Sequence, residues 1–379
     1  MDAQPQLVAN RFFTSAQLYR VAASPKRHQA TPGIPSRIPC PAVKAVVLDN
    51  TGPIEGPVLR VADVAVPEPG PGQVLLRVLA CGVCRSNLHM IEGDWVGNGV
   101  PAKLPIIPGH EVVGTVAALG PGVDVVAEGQ RVGVQPLWWT DDTCEYCLSG
   151  REQLCVAKHI TGETVDGGYA EYMVATAEHV HPIPETLDDV DTAPLFCPGI
   201  TAYSAVAAAR IRPGDRVAVF GLGGVGHMAV QFARVFGAEV VAADRNALHL
   251  DVAREVGASR TIDVTERDAG AALKLEGGVD AAVVFAPSDV LARQALRAVK
   301  VGGTLVLGVH AELGPLSFAD AKTIVESVIG NRADMRRVLR LAELGMVRSV
   351  SKAYPLEQAA EALRALKRGE LRSRAVLTP

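Results

Sequence analysis

The stretch Arg216–Gly226, RVAVFGLGGVG, constrains the fold more than any other part of this 379-residue chain. An apolar strand, VAVF, runs into Gly221-Leu-Gly223-Gly224-Val225-Gly226, and HMAVQFARVFGA follows with helical spacing. G-x-G-x-x-G alone is a weak pattern, but between a strand and a helix it is a dinucleotide fingerprint. Gly221 allows the tight turn, Gly223 lets backbone approach a pyrophosphate, and Gly226 permits close helix packing. The helix N-terminus then presents unpaired N–H groups to the phosphates. A second strand, EVVAAD, ends on Asp244, eighteen residues past Gly226. A carboxylate there accepts hydrogen bonds from ribose hydroxyls and repels a 2′-phosphate, so NAD is expected over NADP. Arg245, next along the chain, would tolerate that phosphate. The alternative is a structural glycine turn beside a solvated aspartate.

Downstream, LDVAREVGA, DAAVVFA, LARQALRAV and GGTLVLGV continue the alternation. Strands alternating with helices of this length predict βαβ units and a doubly wound parallel sheet. The text before it differs. From Val43 to Phe196 short β-rich segments (KAVVLD, QVLLRVLA, EVVGTVAAL, YAEYMVA) are cut by turns such as PEPGPGQ, which suggests an irregular barrel or sandwich. The fold class is therefore α/β with a second, β-rich domain. The expected division is 43–196 plus 339–379 for the β-rich domain, because the tail reads as a helix and strand that return to it, and 197–338 for the nucleotide domain. Charged residues make up 21% and the net charge is −4, which gives no reason to expect nucleic acid or an acidic membrane surface as partner. No apolar run approaches the roughly 18–20 residues of a membrane span.

Residues 1–42 stand apart: five basic residues, one acid, and a proline-rich end. Such a segment reads as a transit peptide or as an extension adding nothing to the fold. Val43-Lys44-Ala45 sits where Met-Lys-Ala would normally begin, so a valine-encoded start at Val43 is the preferred expectation. Residues 1–42 are then disordered or not translated.

Seven cysteines, an odd number with close spacings, fit metal ligation in a reducing compartment better than a disulfide framework. The run GVCRSNLHMIEGD (82–94), Pro108-Gly-His-Glu111 and Phe196-Cys-Pro198 make the chain resemble the zinc-dependent alcohol dehydrogenases of the medium-chain dehydrogenase/reductase family, from Val43 to the C-terminus. The resemblance implies a GroES-like catalytic domain beside the Rossmann domain. It implies a catalytic zinc on Cys84, His110 and Cys197, three ligands that leave a fourth position open. Cys81, three residues before Cys84, would make a C-x-x-C pair, but a place in the barrel core is expected.

By the same resemblance Arg85 and Arg374 contact cofactor phosphate. Ser86 takes the substrate proton and His89 passes it to solvent through the ribose hydroxyl, a relay the chemistry requires in a closed site. Asn87 departs from the family, which usually has an Asp there to orient the His ligand, so rate and pH optimum are expected to differ from those of relatives. Glu111 is a candidate supporting carboxylate, or simply the partner of a neighbouring cation. Asp141-x-x-Cys144-x-x-Cys147-x7-Cys155 matches the family's four-cysteine structural zinc site with Asp for the first Cys. Carboxylate oxygen is an acceptable zinc ligand; a site emptied by that change is the competing reading.

Trp95 falls where relatives acting on small primary alcohols place a bulky pocket residue, and Trp138 and Trp139 are expected to narrow the same entrance or to serve packing. The 42 residues from Cys155 to Cys197 resemble the shorter microbial members, usually tetramers. The expected function is reversible NAD-linked oxidation of a primary alcohol, with secondary or aromatic alcohols also open, by a cytoplasmic homo-oligomer. A polyol dehydrogenase usually has Glu where this chain has Cys197, and a zinc-free enone reductase would lack all three ligands. A non-catalytic NAD-binding protein of the same fold is the reading from another class.

Overall fold

The computed structural model describes residues 42–379. The expected extension lies outside them except for Ala42, which opens the first strand, Ala42–Leu48.

The glycine fingerprint sits where its strand-turn-helix context predicts. Arg216–Phe220 is a strand and Gly226–Val235 a helix. Six parallel strands form one sheet in the spatial order Arg260–Asp263, Glu239–Asp244, Arg216–Phe220, Val279–Val284, Val299–Leu307, Thr323–Glu326. Counted along the chain this is 3-2-1-4-5-6, whose order reverses beside Arg216–Phe220, and ligands bind at that switch point. Both faces are covered, which is why the strands read as continuous apolar runs rather than alternating ones. Val217, Val219 and Ala242 pack one face, and Ala218, Phe220 and Ala243 the other.

The β-rich domain is organised around Gln73–Gly82. Val112–Leu119 pairs antiparallel along one edge of it. On the other edge its first half takes Tyr172–Thr176 and its last residues take the C-terminal strand Arg374–Thr378. The tail thus returns to the first domain, and helix Ala359–Arg368 packs Ala362 and Leu363 into the same core as Leu88 and Ile91.

Helix Pro198–Ala208 joins the nucleotide domain through Ile200, Ala202 and Ala205. The boundary expected after residue 338 requires correction. It falls inside the unbroken helix Arg332–Glu343, whose buried residues Met335, Val338, Leu339 and Ala342 all pack on the nucleotide-domain core. A hydrogen-bonded helix with one apolar stripe moves as a unit, so the chain crosses back only after it, ahead of Ser351–Pro355. Among the described residues no helix is long and apolar enough to cross a membrane.

Candidate active site

Three distant segments bring the first cluster together. Cys84 is the extended N-cap of helix Arg85–Glu92, with φ −101° and ψ 149° and no side-chain cap bond, so its sulfur is free to point away from the helix. His110 follows Gly109, which has φ +101°. A Cβ on Gly109 would strike the Tyr169 ring and come within 2.8 Å of Cys81 Sγ, so this turn needs glycine. Cys197 follows Phe196, whose ring occupies the space a side chain at Gly133 would fill. Cys81 is fully buried, and that burial pushes its thiol far up, an inert core cysteine.

The ligand atoms of Cys84, His110, Glu111 and Cys197 lie within 4.8 Å of one another. Two sulfurs at about 2.3 Å from a tetrahedral zinc stand about 3.8 Å apart, and Cys84 Sγ and Cys197 Sγ are separated by 3.8 Å. The spacing fits the metal. The hydrogen bond with Cys197 is the main cause holding the Cys84 thiol well below its ordinary value, with His110 helping against burial, while Cys197 is pushed well above. Burial opposes charge on His110, but the hydrogen bond and charge of Cys84 outweigh it and lift the imidazole to about 9. The Cys84 thiolate beside the Cys197 thiol and the His110 imidazole is a donor set that suits a dication.

Around the ligands, Ser86 Oγ stands 3.2 Å from His110 Nε2. His89 is partly exposed and its Nδ1 lies 2.6 Å from Asp94 Oδ2. Nδ1 therefore carries the proton and Nε2 is left to accept one. Trp95 lies against His89, ring centroids 5.4 Å apart. Trp138 and Trp139 do not narrow that entrance. Both pack on His159, Trp138 donates Nε1–H to the Val174 carbonyl, and the surface hollows they line include none of the three ligands. The two tryptophans belong to the two-stranded antiparallel pair of Leu137–Trp139 with His159–Ile160.

The glycine loop closes the site from the nucleotide domain. Gly221 has φ +85°, and a Cβ on it would press to 2.6 Å on Ala286 N. Above Gly223 there is open space, the nearest atom being His249 Cε1 at 3.8 Å from a would-be Cβ; a phosphate has room there. Val225 is the N-cap residue of the helix that opens at Gly226. Asp244 Oδ2 accepts from Leu222 N at 2.6 Å and Oδ1 from Asn246 N at 2.8 Å. Burial opposes its charge, but hydrogen bonds from His249 and those two amides hold the carboxyl low. Arg245 is exposed. Arg85, also exposed, donates to the Leu366 carbonyl at 3.3 Å.

Arg374 joins the two halves. Its Nη2 lies 2.5 Å from both oxygens of Glu111, and Nη1 fills the space over Gly224 where a Cβ would be. Burial lifts the Glu111 carboxyl to about 7, with Arg374 restraining the rise. Of the two readings of Glu111, partner of a cation is the one the structure displays. Among the described residues Arg374 Nε is buried without a hydrogen-bond partner, a donor left free near Gly224.

The second cluster is local. Asp141, Cys144, Cys147 and Cys155 also converge within 4.8 Å, with Cys144 and Cys147 sulfurs 3.6 Å apart. The amides of Cys144 and Thr143 donate to Asp141 Oδ1 and drive its carboxyl well down. Burial and hydrogen bonding to Cys144, Asp141 and Cys155 push the Cys147 thiol up to about 12, a crowding that a dication relieves. Asp142, the neighbouring candidate, points elsewhere, to Thr140 and Arg332.

Comparison with known proteins agrees with this geometry. Residues 70–185 match the alcohol dehydrogenase GroES-like domain and residues 224–343 the zinc-binding dehydrogenase domain. An alcohol dehydrogenase of Geobacillus stearothermophilus is 39% identical over 325 residues, covering 84% of this chain and 96% of that one. The chain belongs to the zinc-dependent alcohol dehydrogenases of the medium-chain dehydrogenase/reductase family. The crystal structure of the Aeropyrum pernix alcohol dehydrogenase superposes with a TM-score of 0.81 at 32% identity, covering 89% of this chain and all of that one. A cobalt- and zinc-bound thermostable alcohol dehydrogenase from Pyrobaculum aerophilum superposes at 0.79 with 29% identity, over 89% of this chain and 100% of that one.

Some of this dehydrogenase's site was invisible in its sequence. Glu163, 53 residues past His110, comes within 3.8 Å of that imidazole. Tyr169 donates its hydroxyl to Asn87 Oδ1 at 3.3 Å, and His249 sits beside Asp244. No motif marks these residues; only the packing of the 161–169 segment on Pro108–His110 brings the first two in. His249, at the third position of the helix after Asn246, was one of several polar residues that helical spacing alone left equivalent.

Proposed function

We propose that this dehydrogenase oxidises primary alcohols to aldehydes reversibly with NAD, on a catalytic zinc held by Cys84, His110 and Cys197. The observation that carries the proposal is Arg374. One buried side chain touches Glu111 of the metal cluster and covers Gly224 of the dinucleotide loop, so a cofactor on the loop and a substrate at the cluster lie within reach of each other. When bound, zinc supplies Lewis acidity toward the alcohol oxygen and the dinucleotide the hydride acceptor.

The chain's own groups then move the proton. Ser86 Oγ, beside His110 Nε2, receives it from the alcohol. His89, its Nδ1 engaged by Asp94, would take the proton on at Nε2 and release it from its partly exposed ring. Arg374 and Arg85 hold the pyrophosphate, Arg85 leaving its Leu366 contact. Asp244 holds the ribose and disfavours a 2′-phosphate. Trp95 bounds the pocket and favours small primary substrates. Asp141, Cys144, Cys147 and Cys155 hold a structural zinc, and the enzyme works as a cytoplasmic homotetramer.

The test is nicotinamide absorbance with ethanol, benzyl alcohol and a polyol, NAD against NADP, before and after chelation. Turnover that favours ethanol with NAD and is lost with the metal supports the reading. A metal-loaded enzyme silent across the panel overturns it.

A further inference from the structure

The metal-binding imidazole of His110 needs an acceptor at Nδ1 if Nε2 holds the zinc, because a ring that ligates through one nitrogen carries its proton on the other. The residue expected to fill that place, Asn87, is there and wholly buried, its amide nitrogen 3.4 Å from Nδ1 and its oxygen occupied by the Tyr169 hydroxyl. Turning the amide over satisfies Tyr169 equally, since a hydroxyl both donates and accepts. Neither orientation brings a negative charge to the ring. Within 4 Å of Nδ1 among the described residues stands one carboxylate, Glu163, with Oε1 at 3.8 Å and a side chain only 13% exposed.

We infer that Glu163 supplies to His110 the negative charge that Asn87 lacks, and so is a positioning residue for the catalytic zinc. The inference rests on His110 being a zinc ligand. Glu163 has few other duties: among the described residues no side-chain hydrogen bond accounts for its carboxylate. Its backbone, by contrast, is tightly placed. The segment that follows its turn is strapped to the extended stretch ahead of His110 by Gly167 N to Ile107 O, Gly168 N to Gly109 O and Tyr169 N to Pro108 O, at 2.7 to 2.9 Å. The Glu163 carbonyl accepts from Ala102 N at 3.0 Å. A Cβ at Gly162 would meet Gly109 N at 2.6 Å, so the turn lies against the very backbone that aims the imidazole. A carboxylate fixed from that side raises ligand basicity and orients the ring just as one from the Asn87 side would. Such outer partners are typically worth 10–100-fold in metal affinity or activity.

The experiment moves the charge rather than deleting it. Glu163→Gln, Asn87→Asp, the double variant Asn87→Asp/Glu163→Gln, and Cys84→Ser as reference are loaded with zinc. Zinc transfer to a chromogenic chelator is followed alongside thermal melting and benzyl alcohol turnover. Glu163→Gln is expected to release the catalytic zinc about 10-fold faster than the parent while melting within a few degrees of it. The double variant is expected to recover to within about 3-fold of the parent. Asn87→Asp alone is expected to gain nothing further, because the ring already has its carboxylate. Parent-like retention in Glu163→Gln, failure of the double variant to recover, or a tenfold gain in Asn87→Asp alone each overturns the inference. Retention unaffected by Cys84→Ser instead overturns the zinc assignment on which it rests.

Discussion

The two clusters of metal-binding side chains use similar donors and are built in opposite ways. Asp141, Cys144, Cys147 and Cys155 come from fifteen consecutive residues in one loop, with three of the four partly exposed. Cys84, His110 and Cys197 come from three segments and close only when the barrel, the Phe196 corner and the returning C-terminal strand have packed. The loop cluster can form early and locally, and its metal would act as a cross-link. The triad depends on tertiary structure: His110 is buried, while the Cys84 and Cys197 sulfurs reach it from partly exposed residues on separate segments. Local donors suit a structural ion; distant donors leave a face open for chemistry.

The sharpest way to break this contrast is to remove one ligand from each side. Cys84→Ser is expected to lower kcat by roughly 10³-fold, the size lost with a single preorganised electrostatic group, while NADH binding by fluorescence titration stays within about threefold. Cys147→Ser is expected to leave low-temperature kcat nearly intact, reduce zinc from two per subunit to one, and lower Tm by about 5–10 °C. If the two variants behave alike, the division between chemical and structural sites fails.

Next in size is Arg374→Met. It strands the Glu111 carboxylate in a site where both partners are buried, and breaking such a pair by removing one partner costs about 3–5 kcal/mol. Denaturant melts should show that loss together with weaker NADH binding. Glu111→Gln/Arg374→Met should recover the stability and not the binding.

A pH effect of about 3–5 kcal/mol per group should fall on the loop-cluster side. Burial holds His179 down to about 4 and His181 down to about 3, and His179 is bonded to Thr140 just ahead of the loop. Both rings are neutral when folded and bind protons more readily when unfolded. Their contribution is therefore complete above pH 6.5 and is lost as pH falls toward about 4 for His179 and about 3 for His181. Stability measured between pH 7.5 and 4.5 should decline on this account, and less steeply in His179→Gln. A variant with the parent's slope would remove His179 from the explanation.

The smallest expected effect is Asp244→Gly, which should narrow the NAD preference over NADP by about tenfold without changing zinc content. It separates cofactor choice from both clusters.

Spacing along the chain carried a good deal of this. The loop cluster was legible because its residues are neighbours in sequence and match the family's four-cysteine spacing with Asp141 for the first Cys, and the glycine turn because strand, loop and helix are consecutive. The buried triad was legible only through family resemblance. Nothing in the separations 84, 110 and 197 shows that these residues meet. Trp138 and Trp139 illustrate the limit, since proximity to the metal loop in sequence did not place them at the active site. The second domain crossing was misplaced for a related reason: an amphipathic helix shows its apolar stripe but not which core receives it.

What the sequence by itself determined is the chemistry available: a dinucleotide turn, and thiol and imidazole groups able to hold a metal. Local patterns suffice because those features follow from neighbouring residues and backbone geometry. Tertiary structure decided which groups share a volume. It set Arg374 between Glu111 and the glycine loop, and it brought Glu163 to the imidazole that Asn87 leaves uncharged. Those partnerships span 263 and 53 residues, and contacts that distant arise only when whole elements pack, since no local rule couples residues so far apart.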